Sequence, residues 1–397
     1  MKIAITCPAS LPATQFGGIM FLGTNIAKKL SDKGHTVTIY TTDLDFANNS
    51  HTFNKNLPKI QKIDNFFVKR THVYFYKFLF YINPSMYFQM IYDDMDIIHA
   101  IGVRSFQSFI ATLVCKKKKI PLIITDQGGL TTHPDLKNSS ILKKFLIKIQ
   151  EPLIRYVIKN SSAIIVPNEY EEEIFLNFCN KEKIFQVKNG INLDEMRNLT
   201  YSFREKYQIK EKYFLFLGRF HYVKGIDILL TALKNIIDDP IMTNAILVIM
   251  GVDFGYEKKM LSLIKNFNLS HKIKIVKNPS RDDVLAAYSE SEFLVLPSRW
   301  ELSPLTPLEG FAFKKTVIST RSHGIPSTLS DGINSILVEN GDDKNLGEAI
   351  LYLMKNNKIK EQLGKEGYMF VQNIANSDKM VSEIYHIYEK ILDKTEK

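Results

Sequence analysis

Phe293 to Gly310 reads FLVLPSRWELSPLTPLEG, and the fold expectation for the rest of the chain starts there. Phe293, Leu294, Val295 and Leu296 form a short unbroken apolar run, the composition of a parallel strand covered on both faces. Pro297 and Ser298 end it. Glu301 then falls in the loop just past the carboxyl end of that strand, where open α/β sheets place their ligands. Ser303 and Pro304 read as the cap and first residue of a helix, which predicts that the backbone N–H groups of Leu305 and Thr306 point unpaired at the crevice. A helix start of this kind attracts anions, because unpaired donors and the helix dipole both favour negative charge. Glu309 follows Glu301 by eight residues, far enough into the helix for its carboxylate to face the same crevice and accept ribose hydroxyls. Two acids flanking an anion site suit a nucleotide sugar, while two solvated glutamates at this spacing also arise by chance.

Toward the amino terminus, the run Phe214 to Leu217 ends in Gly218-Arg219, and Lys224-Gly225 opens the next helix pattern. A glycosyl donor leaves as a nucleoside diphosphate, so its departure needs positive charge where negative charge develops. Arg219 offers a planar fork and Lys224 a point charge, which complement each other on two phosphates. A surface Arg and Lys beside a loop is the plain alternative. PSRWELSPLTPLEG resembles the E-x7-E signature of the retaining family 4 glycosyltransferases, the glycogen-synthase-like group, and GRFHYVKG resembles their GR…KG donor motif in the expected order. The resemblance implies a GT-B fold, with two tandem Rossmann-like, doubly wound parallel-sheet domains facing a central cleft. It further implies that Glu301 contacts the transferred sugar, that the start of the helix at Ser303, Leu305 and Thr306 holds the distal phosphate, and that Glu309 holds the ribose. The segment Lys277 to Arg281, with Asn278 and Pro279 in it, would lie near the base, mostly through backbone.

In the first half, Gly17-Gly18 follows the first strand pattern, Lys2 to Thr6, and matches the paired glycines that let backbone approach a donor phosphate or acceptor in that family. There is no G-x-G-x-x-G, so a dinucleotide oxidoreductase is disfavoured. IITDQGG, Ile123 to Gly129, corresponds to the strand and loop where many relatives carry TxHG or TDHGG, which makes Asp126 and Gln127 candidates at the reacting centre. This chain has Gln127 where those relatives have His. Glutamine still hydrogen-bonds a hydroxyl but takes no proton. His99 matches the first His of a D-x-x-H-x-H segment whose second is here Ile101, and it reads equally as a satisfied core residue. His133, in TTHP, is a second imidazole nearby in sequence. Asp43-x-Asp45 and Asp94-x-Asp96 carry the short D-x-D pattern of metal-dependent transferases on another fold, but each abuts a strand of a Rossmann-like unit, and no metal site is expected.

The 397 residues are enough for two domains of about 200 each with a core of its own. Domains are expected at 1–200 (acceptor side) and 201–375 (donor side), with a last helix, 376–397, crossing back onto the first. Strand and helix patterns alternate in both halves, as a parallel sheet requires. Residues 189–212 read as a linker, and Val73 to Tyr92 as an aromatic-rich helix too interrupted by Lys77, Asn83, Pro84 and Gln89 to cross a bilayer. Cys7, Cys115 and Cys179 make no C-x-x-C, which favours a reduced cytosolic compartment over a metal site. Lys2 is followed by only a short apolar run before Pro8, so no secretory leader is expected. The whole +10 formal charge falls within residues 1–210, densest at Lys116 to Lys119 and around Lys143, Lys144, Lys148, Arg155 and Lys159. Solvated faces of a Lys-rich chain explain this as well as an anionic lipid or glycan does. No nucleic-acid-binding pattern accompanies it.

The resemblance implies a metal-independent hexosyltransferase that uses a nucleoside diphosphate sugar, UDP- or GDP-linked, and no further cofactor. The acceptor expected is a hydroxyl of a glycan or lipid-linked molecule at the cytosolic membrane face, as in cell-envelope glycan biosynthesis. A nucleotide-sugar epimerase of the same fold and a non-catalytic transferase partner, the latter suggested by Gln127 and Ile101, are the alternatives.

Overall fold

The computed structural model describes residues 1–45, 52–77, 80–128, 130, 132, 134, 141–197 and 199–395. Two compact units emerge, Met1–Asn189 with Ser377–Lys397, and Gly190–Asn376. The chain therefore leaves the first unit earlier than residue 200, because the residues that follow pack on the second.

The first unit is built on β1 (Lys2–Thr6), β2 (Thr36–Thr42), a small β3 (Leu44–Asp45) and β4 (Thr52–Phe53) pair, β5 (Ile60–Ile63), β6 (Phe66–Thr71), the pair β7 (Phe75–Lys77) and β8 (Phe80–Ile82), β9 (Ile97–Ile101), β10 (Leu122–Thr125), β11 (Ala163–Val166) and β12 (Ile184–Gln186). Its main sheet runs β12-β11-β10-β9-β1-β2-β6-β5. Pairing is parallel except at the β5–β6 edge. β9, β10 and β11 are buried along their whole length, as runs such as IIHAI and LIIT require when helices cover both faces. β5, by contrast, alternates half-buried and exposed, which suits an edge. The helix Ser377–Thr395 closes this unit: Met380, Val381, Ile384, Tyr388 and Ile391 pack in one core with Leu22, Ile26 and Leu30 of the helix Gly18–Asp32.

The second unit carries β13 (Lys212–Leu217), β14 (Ala245–Gly251), β15 (Ile273–Lys277), β16 (Leu294–Leu296), β17 (Val317–Thr320) and β18 (Ser335–Val338). They form one parallel sheet in the order β15-β14-β13-β16-β17-β18. The chain winds outward from β13 through β14 and β15, then returns to β13's other side with β16. This reversal is the topological switch point, and it opens a crevice at the carboxyl ends of β13 and β16.

Two expectations are corrected. Val73 to Tyr92 is not one helix: β7 and β8 pair antiparallel, with Tyr76 opposite Tyr81, and only Ser85–Tyr92 is helical. Pro84 keeps Asn83 out of the helical region, and the aromatic residues ahead of it favour cross-strand pairs. Nor is 189–212 a linker. Ile191, Met196, Phe203 and Ile209 are buried in the second core, and the short helix Phe203–Tyr207 is capped by Ser202. Apolar residues too sparse for a periodic signal still suffice to seal a segment onto an existing core.

Candidate active site

The crevice beside β13 and β16 is shaped first by backbone. The hydroxyls of Ser319, Thr320 and Ser322 donate to the carbonyls of Leu296 (2.8 Å), Ser298 (2.6 Å) and Arg299 (2.7 Å), pinning the loop after β16 to the neighbouring strand. On the other side, the Arg299 N–H donates to the Val223 carbonyl (2.7 Å). The Arg299 guanidinium forks onto Asp227 (2.7 and 2.7 Å) and lies over the Tyr222 ring, 4.1 Å from its centroid. Burial would raise the Asp227 carboxyl, and the Arg299 fork outweighs it and holds it below the usual range. Gly225 permits this closeness. It sits at φ 68°, and a Cβ there would lie 1.9 Å from the Pro297 carbonyl oxygen.

The result is that Lys224 and Glu301, far apart in sequence, form an ion pair, with Ser298 Oγ 3.4 Å from Glu301 Oε1. Both side chains are mostly buried, at 18% and 16% exposed. They line one concavity with Ser298 and Thr306, walled by Phe216 and Ile325. The helix behind it is Leu305–Ala312. Here the structure corrects the cap assignment: Pro304, at φ −68° and ψ 135°, takes the cap position instead of Ser303, and no side chain caps the helix. Pro307 has no N–H, so Leu305 and Thr306 supply the amide donors of the first turn.

Arg219 follows Gly218 past the end of β13, exposed, its guanidinium 5.0 Å from the centre of the Phe254 ring. Asn278 and Pro279 form the turn after β15. Asn278 adopts a left-handed φ of 51° and donates its N–H to the Gly251 carbonyl (2.8 Å). Ser280 and Asp283 then make a reciprocal capping box at the start of the helix Arg281–Glu290. Glu309 is not an open carboxylate: Arg281 Nη2 donates to its Oε1 (2.8 Å) and the Tyr288 hydroxyl to its Oε2 (2.9 Å). Burial pushes the Tyr288 phenol well up, and the Glu309 charge adds to that.

In the first unit, Gly17 (φ 92°) caps the helix that Gly18 begins. Asp126 holds its own loop together. It is 2% exposed and its oxygens accept the N–H groups of Val103 (3.1 Å), Gly128 (3.2 Å) and Leu130 (3.1 Å), which makes it the brace of its loop. Burial pushes its carboxyl up against the pull of those amides and of Arg104. Gln127 next to it sits at φ 142° and exchanges amide hydrogen bonds with Asn189 (2.6 and 3.2 Å). Strain at a half-buried loop residue is characteristic of functional positions. His99 resolves as a core residue, with ring nitrogens 2.6 Å from the Tyr388 hydroxyl and 2.7 Å from Thr125 Oγ1, and burial lowers its pKa to about 3. Asp43 holds His72 (2.6 Å) and the Val73 N–H (3.2 Å), Asp45 holds Asn54 (2.9 Å), Asp94 pairs with Lys2 (3.2 Å) and Asp96 accepts the Lys2 N–H (2.7 Å). His133 and Gly129 lie outside the described residues.

Two family models match the chain, one described as Glycosyltransferase Family 4 over residues 16–195 and one as Glycosyl transferases group 1 over residues 200–370. An uncharacterized glycosyltransferase of Methanocaldococcus jannaschii is 30% identical over 311 residues, covering 76% of this chain and 77% of that protein. The chain belongs to the family 4 glycosyltransferases. The N-acetyl-alpha-D-glucosaminyl L-malate synthase of Bacillus anthracis is 25% identical over 403 residues, 99% of this chain and 97% of that one. The crystal structure of Anabaena HepE in complex with UDP and glucose superposes with a TM-score of 0.76 at 16% identity, covering 98% of this chain and 99% of that one. This glycosyltransferase accordingly has the GT-B fold.

Of the residues that sequence reasoning singled out, the folded glycosyltransferase gathers Lys224, Glu301 and Thr306 around one concavity. Arg219 sits past the carboxyl end of β13, and Asn278 and Pro279 past that of β15, with β14 between the two strands. Arg281 was expected only as the end of the segment near the base, through its backbone; Tyr288, Arg299 and Asp227 were missed as site-forming residues. The only signal available was GRFHYVKGID itself, in which Asp227 stands just past the donor motif.

Proposed function

We propose that this glycosyltransferase moves a hexose from a nucleoside diphosphate sugar, UDP- or GDP-linked, to a hydroxyl of a glycan or lipid-linked acceptor, with retention of configuration and without a metal ion. The Lys224–Glu301 pair beside the uncapped start of the helix Leu305–Ala312 carries this reading. An ammonium has three donors, so Lys224 can keep Glu301 and still bind a phosphate oxygen. With Arg219 and the amides of Leu305 and Thr306, it supplies the positive charge that a departing diphosphate needs. Glu301 meets the sugar hydroxyls. The acceptor oxygen forms its bond to the anomeric carbon on the face from which the diphosphate oxygen leaves, and that phosphate oxygen takes the acceptor's proton. The enzyme's contribution is position and charge. UDP in the HepE complex supports a uridine donor. The malate synthase relative, which spans nearly the whole chain, favours a second acceptor reading, a small hydroxy acid.

A thermal-shift screen with UDP-, GDP- and ADP-sugars tests the donor class. At least one UDP- or GDP-sugar is expected to raise Tm by a few degrees, about 1 °C for each kcal/mol of binding in a chain of this size. Arg219→Ala and Glu309→Ala are each expected to abolish the shift. A full response in either variant removes that residue from the donor site.

A further inference from the structure

Glu309 is embedded in a network that the donor motifs do not predict. Arg281, the first residue of the helix Arg281–Glu290, sends Nη2 to Glu309 Oε1 (2.8 Å). The same guanidinium forks onto Glu195, Nε to Oε1 at 2.8 Å and Nη2 to Oε2 at 3.3 Å. Burial would lower the Arg281 pKa, and the charges of Glu309 and Glu195 reverse that effect and raise it. From the other side Tyr288, fully buried, donates its hydroxyl to Glu309 Oε2 (2.9 Å).

A carboxylate turns easily about its last torsion, which has a broad two-fold profile. Here each oxygen is held by a different donor, so the plane of the group is fixed. Four lone-pair positions are available to an ionised carboxylate, and these two contacts occupy one on each oxygen. What remains is one acceptor position per oxygen, enough to receive two adjacent hydroxyls. Glu195 matters because it grips Arg281 from behind.

We propose that Arg281 is a positioning residue that sets the preference for ribonucleotide over 2′-deoxyribonucleotide donors, by fixing the Glu309 carboxylate for a vicinal diol. This rests on the reading of Glu309 as the ribose contact. Lysine at this position keeps the charge but cannot hold Glu195 and Glu309 in one plane. Glutamine removes the charge and the fork together.

Isothermal titration of the full chain with UDP, 2′-deoxy-UDP, GDP and 2′-deoxy-GDP tests it. The wild type is expected to bind the ribo form of its nucleotide at least about tenfold more tightly, since hydrogen bonds to a charged group are worth that much. In Arg281→Gln the ratio is expected to fall to about one to threefold, the ribo form losing more affinity than the deoxy form, and Arg281→Lys to lie between. Equal weakening toward ribo and deoxy forms, or an intact ratio, overturns the proposal. Glu309→Gln separates the two levels. If it collapses the ratio and Arg281→Gln does not, the role of Arg281 alone falls. If the wild type shows no ribo preference, the ribose role of Glu309 falls and takes this inference with it. Should Arg281→Gln not fold, by its melting curve, Glu195→Gln carries the test. It leaves the Glu309 side chain itself in place, and its expected effect is about a threefold loss in the ratio, carried mainly by the ribo form.

Discussion

Lys224 owes its role to what surrounds it. A solvated lysine and glutamate contribute little to one another, but these two are mostly buried and share one concavity with the helix start. Removing the ammonium leaves Glu301 as a buried acid without its cation and, on the proposed reading, withdraws charge from the departing diphosphate. Lys224→Ala is therefore expected to lower kcat by about 10²–10³, the loss typical of one charge-stabilising donor, with a smaller change in KM. Initial rates against a hit from the donor screen check this, and a loss under about fivefold removes Lys224 from the chemistry. Gln127 makes a quieter point: its amide is already exchanged with that of Asn189. A histidine ring could not offer the same paired donor and acceptor, so this loop is built around glutamine rather than missing an imidazole.

Among the elements, the turn Tyr222–Lys224 and the loop after β16 behave as one piece. Arg299 bridges them through the Val223 carbonyl, the Asp227 carboxylate and the Tyr222 ring. Gly225 lets them touch. Gly225→Ala is expected to destabilise the chain by about 3 kcal/mol, since it combines a left-handed φ with a backbone clash that no rotamer relieves. It is also expected to remove the donor-induced Tm rise, because Lys224 and Glu301 can no longer meet. Urea unfolding and the same thermal screen measure both effects, and wild-type behaviour in both would show that the contact yields without consequence. The helix Ser377–Thr395 shows a similar dependence in the first unit. Its Tyr388 hydroxyl reaches His99, which in turn reaches Thr125.

For the whole molecule, the excess positive charge of residues 1–210 coincides with exposed aromatic residues on the first unit, among them Tyr74 (68% exposed) and Phe75 (59%) at the β7–β8 pair and Tyr92 (84%). Among the described residues no helix is long and apolar enough to cross a membrane. Positive charge and amphipathic rings together suit an anionic lipid surface, each basic residue near it contributing about 1 kcal/mol. Sedimentation with phosphatidylserine-containing vesicles is expected to carry the protein down at low salt and to release it at about 0.5 M salt, where the Debye length is only a few ångströms. Equal sedimentation with neutral vesicles ends that idea. The alternation of strands and helices, the parallel sheets and the order of the donor motifs were legible from sequence, because each rests on local periodicity or on residues a few positions apart. So was Glu301, placed by the strand that precedes it. Which partners those residues take was not legible. Arg281 and Glu195 are 86 residues apart, Lys224 and Glu301 77, and Arg299 and Asp227 72. Nor could the chain's own pattern tell that residues 189–212 seal a core or that Glu309 is held on both oxygens. Sequence by itself determined the elements and their family, since short-range sterics and hydrophobic period act along the chain. Only the tertiary structure decided which charges meet, since that depends on where the sheet reverses direction and brings distant loops to one edge.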